Sequence, residues 1–447
     1  MDYKPENLSP NQREIKTETM QVPVVLFSSK KTAPEKETVE LIKKLAENPE
    51  IFHHIAVLSD AHPKPNIINP TGSVVASERN IIPEVMDAAP NCGMRVIITD
   101  LSEQELAQEK IAEIFNELRA AVPSKKIIGT RISFQKVLDI FRNGSLALKD
   151  SFNFRTAREI ENTHKNGNFF SARGGSAFGG SIPSEKDILN SIPKSILYIG
   201  KYRLGLLGAT TSHFLSLMRV ASVENFELAE KLGLKQGQYV FFMHTGSSIV
   251  GRYAASLYTS RKIKNLLQKI ILSIIKMTTA KIKLDNLETV FRAVGNYGFA
   301  NRTLITHKLD QALEKVFGRQ VKLELLYDAP HVYFDREKHY TKDVYVHRNG
   351  ANRAFGPQKM SGHPVFEKTG EPVLIAPFAD SFGYIGVGTD ENQGTFFSAN
   401  HEIGKSKDLG IIPDQYAGYS AGIIKEMEEN KIIKLVAKLE TIKTLTY

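Results

Sequence analysis

A chain of 447 residues with a single cysteine cannot be held together by internal disulfides, nor can it build a zinc site that needs paired thiols. Its fold has to come from a hydrophobic core, and any thiolate metal site must gather its other ligands from across the sequence. The cysteine sits in Asn91-Cys92-Gly93-Met94-Arg95. A lone cysteine is commonly just a small buried apolar residue, so Cys92 gains meaning only from its company. Four histidines supply it: His213, His244, His331 and His401 each occupy a short polar segment after an apolar run.

Apolar content of 42% and charged content of 24% are those of a soluble globular chain. The length allows one large core or two ordinary domains. A net charge of +9 favours an anionic partner such as RNA, DNA or a nucleotide, although a solvated basic surface accounts for it equally. The first twenty residues are polar, lack the apolar core of a signal peptide, and are expected to form a flexible leader over 1–20. The most apolar stretch, Leu266 to Met277, is interrupted by Lys269 and Lys276 and is too short to span a bilayer. A cytoplasmic or nuclear location, cytoplasmic preferred, with a reduced Cys92 and no membrane partner is expected.

Strand-like runs are expected at Val22–Phe27, Ile55–Leu58, Tyr239–Met243, Leu323–Tyr327, Pro372–Ile375 and Tyr384–Gly388. Helices are expected at Thr38–Glu47, Lys262–Lys283, Leu287–Phe317 and Ser420–Ile442. Another should follow the capping-box sequence Ser102-Glu103-Gln104-Glu105 and run to about Ala121. Ser151 to Lys186, rich in Gly, Ser, Asn and Arg, reads as a long surface loop. No Pro/Gly linker divides the chain, so residues 21–447 are expected to form one large α/β (α+β) domain.

With Cys92, the histidines His213, His244 and His331 would suit a soft-to-borderline divalent ion; Mn²⁺, Zn²⁺, Co²⁺ and Fe²⁺ all remain open. Each histidine alone is more commonly structural. His401 lies in the small, polar, basic segment Ser398-Ala399-Asn400-His401-Glu402-Ile403-Gly404-Lys405. Such surroundings suit an imidazole that meets a phosphate and carries it as a phosphoramidate. Arg348 and Arg353, around Gly350, read either as phosphate clamps or as a salt-bridged hairpin. The residues by themselves imply a metal-dependent enzyme acting on phosphates.

At these positions the sequence resembles the RtcB family of 3′-phosphate/5′-hydroxyl RNA ligases. Asp60-Ala61-His62 is similar to the family's Asp-Val-His segment. Gly72 to Ala76 and Asn91 to Arg95 are similar to its next strand and metal-binding turn. Leu204-Gly205 to His213-Phe214 resembles Gly-Asn-His-Phe, Met243 to Ser247 resembles Ile-His-Ser-Gly-Ser, and Asn296 to Arg302 resembles Asn-Tyr-Ala-x-Ala-Asn-Arg. His331 matches Ala-His-Asn, Val346 to Phe355 matches Val-His-Arg-Lys-Gly-Ala-Thr-Arg-Ala-Phe, and His401 falls at the histidine of His-Gly-Ala-Gly-Arg.

The resemblance implies stacked sheets flanked by helices around a metal cleft. It implies GTP and one or two Mn²⁺ ions, with Cys92 bridging two metals, His213 serving one, and His244 and His331 holding the other. His401 would be the residue guanylylated, and Ser212, Ser216, Arg348, Arg353, Ser381 and Lys405 would line the nucleotide. The substrate would be RNA with 3′-phosphate or 2′,3′-cyclic phosphate and 5′-hydroxyl ends, in RNA repair or tRNA splicing, with an activating protein as a further partner. There are departures: Ala89 stands where the family has a metal-binding aspartate, and Ser212, Ser216, Ser248 and Lys405 replace its asparagine, carboxylate and two arginines. These keep open a paralogue that binds RNA ends without ligating them, or that uses another nucleotide.

Overall fold

The structure, a computed structural model, describes residues 9, 11–63, 69–86, 89–123, 128–149, 151–171, 181–208, 212–256, 270, 273, 286–377, 382–403 and 413–446. Its early strands are β1 (Arg13–Ile15), β2 (Val24–Phe27), β3 (Ile51–His62), β4 (Thr71–Ser77) and β5 (Gly93–Thr99). Then follow β6 (Phe214–Val223), β7 (Tyr239–Thr245), β8 (Leu323–Pro330), β9 (Val332–His339), β10 (Lys342–Asn349) and β11 (Ala351–Arg353). The last are β12 (Pro372–Ile375), β13 (Gly383–Gly388), β14 (Ser398–Asn400) and β15 (Ile433–Thr446). The helices are α1 (Lys36–Leu45), α2 (Gln108–Ala121), α3 (Phe134–Asn143), α4 (Glu185–Ser191), α5 (Lys194–Gly200), α6 (Phe226–Lys231), α7 (Ser248–Ala255), α8 (Leu287–Phe317) and α9 (Pro413–Glu429).

The first sheet has the order β1-β2-β3-β4-β10-β9 and the second β12-β13-β15-β6-β7-β5-β8; β11 pairs with β14. Alternation along the strands decides what each face buries. Val24, Leu26, Ile55, Val57 and Val75 of the first sheet pack with Ile42 and Leu45 of α1. Its opposite face, with Val25, Phe27, Ala56, Leu58 and Val74, meets Val373, Ile375, Tyr384 and Ile433 of the second sheet, so the two sheets stack. In the second sheet Ile97, Leu215, Leu217, Phe241 and Leu325 pack on α2 and the C-terminal half of α8. The other face, with Met94, Val96, Phe214, Met218, Phe242, Leu374 and Ile385, closes on itself. Edge strands β12 and β8 accordingly lie against each other, and the sheet is nearly a barrel. The result is the α/β fold expected.

Three expectations need correction. Residues 13–15, assigned to the leader, pair antiparallel with β2, because Glu14 and its neighbours find strand partners at Val24–Leu26. Within Ser151–Lys186 the stretch 159–170 is no surface loop, since Asn162, Thr163, His164, Lys165 and Asn168 are buried, whereas 151–158 and 181–186 are exposed or half-buried as expected. Polar side chains replace regular structure there. Asn162 Nδ2 donates to the Leu325 carbonyl at 2.8 Å, and Lys165 Nζ reaches both oxygens of Asp335 at 2.9 Å. Finally, the helix expected over Ser420–Ile442 stops at Glu429, where Lys431 turns the backbone to a positive φ of 55°. Ile433–Thr446 is instead the strand β15, paired on both sides by β13 and β6. Bulges at Lys438/Leu439 and Thr441/Lys443 break its period-two alternation, which is why it resembles a helix in sequence. The expected helix Lys262–Lys283 lies almost entirely outside the described residues.

Candidate metal and nucleophile site

Cys92 is presented by a clamped turn. Asn91 has φ 54°, a left-handed conformation that asparagine tolerates better than most residues. Its N–H donates to the Val332 carbonyl at 2.7 Å and its Nδ2 to the Gly295 carbonyl of α8 at 2.7 Å. Arg302, on the same helix, donates to Asn91 Oδ1 at 2.8 Å and to the Asn91 carbonyl at 3.2 Å. The approach is so close that a Cβ at Gly246 would lie 2.1 Å from the Asn91 carbonyl oxygen, and one at Gly298 2.7 Å from it. Arg302 is anchored in turn by Asp328 at 2.6 Å, and Arg95 grips the same carboxylate at 2.8 Å. All three are fully buried. Burial works against the Asp328 carboxylate, but Arg302 and Arg95 outweigh it and hold its pKa below the ordinary value.

The second sheet then converges its histidines on that sulfur. His213 immediately precedes β6, His244 is on β7, and His331 follows β8. Cys92 Sγ is 3.3 Å from His213 Nε2 and 3.3 Å from His244 Nε2, while His244 Nε2 is 3.2 Å from His331 Nε2. The Nδ1 of His213 donates to the Leu207 carbonyl at 2.9 Å, which leaves its Nε2 lone pair facing the sulfur. Donor atoms of Cys92, His244 and His331 all lie within 4.8 Å of one another. Ligands bound tetrahedrally at about 2.0–2.3 Å stand about 3.3–3.8 Å apart, so this donor set fits a divalent transition ion. Among the described residues no carboxylate joins the group. Ala89 offers none, and Asp87 lies outside the described residues.

His401 completes the cleft from the small β11–β14 pair, which packs against β3 of the first sheet. It follows β14, and its ring centroid stands 4.6 Å from that of His331. Asp60, near the end of β3, accepts from His401 Nδ1 at 2.8 Å and from the His401 backbone N–H at 3.1 Å. One carboxylate oxygen thus fixes both ring and backbone, and Nδ1 is the nitrogen that Asp60 engages. Glu402 flanks it, with Oε2 3.9 Å from His401 Nε2 and Oε1 3.7 Å from His62 Nδ1. Asp60, Asn91 and Arg302 received no role from sequence reasoning. Their only signal was membership of the matched segments, since orientation through a hydrogen bond leaves no spacing to read.

The expected nucleotide residues scatter. Arg348 is fully buried, giving its fork to Glu337 at 2.7 and 3.0 Å and its Nε to Ser398 at 2.8 Å. Arg353 is likewise committed to Glu371, at 2.8 and 3.1 Å from Nε. The salt-bridged reading of these two arginines therefore replaces the phosphate clamp: each guanidinium is turned inward onto a carboxylate. Ser216 is buried on β6 and its hydroxyl is 2.9 Å from that of Thr444. Ser212 is exposed beside His213. Ser381 and Lys405 lie outside the described residues.

Comparison with known proteins agrees with this arrangement. Residues 41–409 match the sequence profile of the family described as tRNA-splicing ligase RtcB. The chain is 28% identical over 405 residues to the tRNA-splicing ligase RtcB of Thermococcus kodakarensis, covering 85% of this chain and 78% of that protein. It is 28% identical over 419 residues to the Pyrobaculum aerophilum protein of the same name, covering 88% and 81%. With the longer Methanopyrus kandleri protein, also 28% identical, the match takes in 79% of this chain but 37% of the relative. No described helix is long and apolar enough to cross a membrane. The clamped cysteine, the histidines gathered on it and a profile match spanning most of the sequence converge on one assignment: this chain belongs to the RtcB family.

Proposed function

We propose that the protein is an RNA ligase that joins a 3′-phosphate end, or a 2′,3′-cyclic phosphate end opened to it, to a 5′-hydroxyl end through a His401–GMP intermediate. The observation that carries the reading is the pairing of His401 Nδ1 with Asp60 at 2.8 Å beside the imidazole of His331. In the first step Nε2 attacks the α-phosphorus of GTP, an N–P bond forms and pyrophosphate leaves. The imidazole gains positive charge as that bond forms, and the Asp60 carboxylate stabilises it through Nδ1–H. The RNA 3′-phosphate then displaces His401 from GMP, and the 5′-hydroxyl oxygen attacks the activated 3′-phosphorus, losing its proton as GMP departs. Cys92, His244 and His331 would hold Mn²⁺, with His213 available to a second ion. Such a metal supplies charge withdrawal at the phosphoryl group and lowers the pKa of an attacking hydroxyl.

A second reading, an end-binding paralogue or one using another nucleotide, draws on Ala89 and on Ser216, whose hydroxyl is engaged by Thr444. Incubation with each labelled NTP and Mn²⁺ separates the two. The ligase reading requires an acid-labile, base-stable adduct that His401→Ala abolishes together with strand joining. No adduct with any NTP, or joining by His401→Ala, overturns it.

A further inference from the structure

Outside the cleft, two segments distant in sequence are tied side by side. Gly129 N–H donates to the Tyr202 carbonyl at 2.7 Å, Ile132 N–H to that of Lys201 at 3.0 Å, and Thr130 bridges Leu204. Aromatic rings and cations alternate on their surface. Tyr198, at the end of α5, is 55% exposed and lies 5.2 Å from the ring of Phe134. Lys201 Nζ stands 5.7 Å from the Tyr198 centroid and 5.3 Å from that of Tyr202, and the Arg131 guanidinium is 5.8 Å from Tyr202. Residues 128–135 and 192–208 contain Arg131, Lys194, Lys201 and Arg203 and no acidic residue. Glu185 reaches Gln135 at 2.5 Å, but it is also paired with Arg142 at 3.7 Å.

This patch contrasts with the other arginines described above, whose charges are cancelled by buried carboxylates. Here the charge faces outward with aromatic surface between, which suits a ligand carrying both phosphates and flat bases. The patch also connects to the cleft. From Tyr202 the chain runs to Leu207, whose carbonyl accepts from His213 Nδ1 at 2.9 Å and from Thr245 Oγ1 at 2.5 Å. Five residues span at most about 18 Å.

We propose that Tyr198, Lys201, Tyr202 and Arg131 form a stacking platform for single-stranded RNA, receiving nucleotides adjacent to the end in the cleft. The position of that end rests on the RNA-ligase reading; the platform's affinity for a single strand does not. Bases stack on the tyrosine faces while Arg131 and Lys201 meet the backbone.

The test is fluorescence anisotropy of the full chain with a short labelled single-stranded RNA, using an abasic strand of equal length as the backbone-only control. Tyr198→Ala is expected to weaken RNA binding about tenfold, as loss of one stacked base does, and to leave the abasic strand unaffected. Tyr198→Phe keeps the ring face and should bind as the parent does. Arg131→Ala should weaken both strands and make the salt slope shallower by about 0.7, the value for one phosphate contact on a single strand. Equal losses for RNA and abasic strand in Tyr198→Ala, no loss at all, or binding of an acidic peptide as tight as RNA would overturn the platform. The same variants should form the His401 adduct at the parental level, because that step precedes RNA. A parent that forms no adduct sinks the ligase reading and leaves the binding measurement intact, so the two failures are distinguishable.

Discussion

Cys92, His213, His244 and His331 stand on or next to strands of the second sheet, whereas Asp60 lies near the end of a strand of the first sheet and His401 leaves β14 beside it. The two walls of the cleft are secured differently. On the proposed metal wall the candidate ligands come from four separate segments, and the one cysteine is positioned by backbone crowding at Gly246 and Gly298 and by the buried Arg302–Asp328 pair. On the nucleophile wall one carboxylate oxygen, Asp60 Oδ2, sets both the ring and the backbone of His401. On the proposed ligase reading, loss of the thiolate removes a metal ligand, while loss of the Asp60 carboxylate removes only what orients His401.

The largest expected effect tests that separation. Cys92→Ala should lose bound Mn²⁺, read by elemental analysis after gel filtration, and with it the adduct. Asp60→Asn should keep the metal and slow adduct formation by roughly 10²–10⁴, the usual contribution of positioned proton chemistry. Metal retained in Cys92→Ala, or lost in Asp60→Asn, breaks the comparison.

Next in size is the support behind each wall. Removing one partner of a buried ion pair costs about 3–5 kcal/mol, because the other charge is left uncompensated. Arg302→Met and Arg348→Met should therefore both lower the urea midpoint strongly. Only Arg302→Met should also weaken metal affinity, by about 10–100-fold as for other supports of metal ligands, since Arg302 touches Asn91 and Arg348 touches Glu337. Equal metal affinities in the two variants would mean that the Arg302 clamp does not position Cys92.

The metal wall was the more legible in sequence. Tyr239–Met243 and Leu323–Tyr327 are apolar runs whose ends must meet polar surroundings, and a histidine at such an end reads directly as a candidate. The helix Leu287–Phe317 was legible too, with the bounds the structure shows. What escaped was set by tertiary context. For Arg348 and Arg353 the sequence left phosphate clamp and salt bridge open, and only the placement of Glu337 and Glu371 beside them decides for the salt bridge. Lys165 and His164 hid in a Gly/Asn-rich stretch because side-chain hydrogen bonds rather than apolar periodicity hold it inside. β15 escaped because its two bulges shift the alternation by which a strand is recognised.

An intermediate effect comes from acid, and it concerns the first-sheet side. His54 on β3 and His347 on β10 are buried, as is His164 packed against Tyr333 of β9. Burial pushes His54 down to about 3 and His347 to about 4; burial, helped by Arg353, takes His164 to about 4. The folded chain keeps all three neutral while the unfolded chain binds their protons below about pH 6.5. Unfolding then takes up protons, so stability is full above that pH and falls as pH drops from about 6.5 toward 4, with a slope of up to about 4 kcal/mol per pH unit for three histidines. His347→Gln should flatten the slope of the urea-derived stability between pH 6 and 5. An unchanged slope would place the acid sensitivity elsewhere.

The smallest expected effect is on nucleotide choice. A site built to hydrogen-bond one base rejects an analogue by about 10⁴–10⁵, whereas a site without such partners discriminates weakly. Ser216 occupies the position that the family resemblance assigns to guanine reading, yet its buried hydroxyl lies 2.9 Å from that of Thr444 on β15. A hydroxyl offers a single oxygen, already shared with Thr444, where a carboxylate offers two, so it cannot accept from the guanine N1 and N2 donors as that pair of oxygens would. Adduct yields with GTP and ATP at equal concentration should therefore fall within about tenfold of each other. Thr444→Val releases the Ser216 hydroxyl without adding a carboxylate and should leave the ratio within the same range. A GTP preference above a thousandfold in the parent would mean that another residue of the nucleophile wall reads the base, and would make that wall more specialised than the Asp60–His401 pair alone.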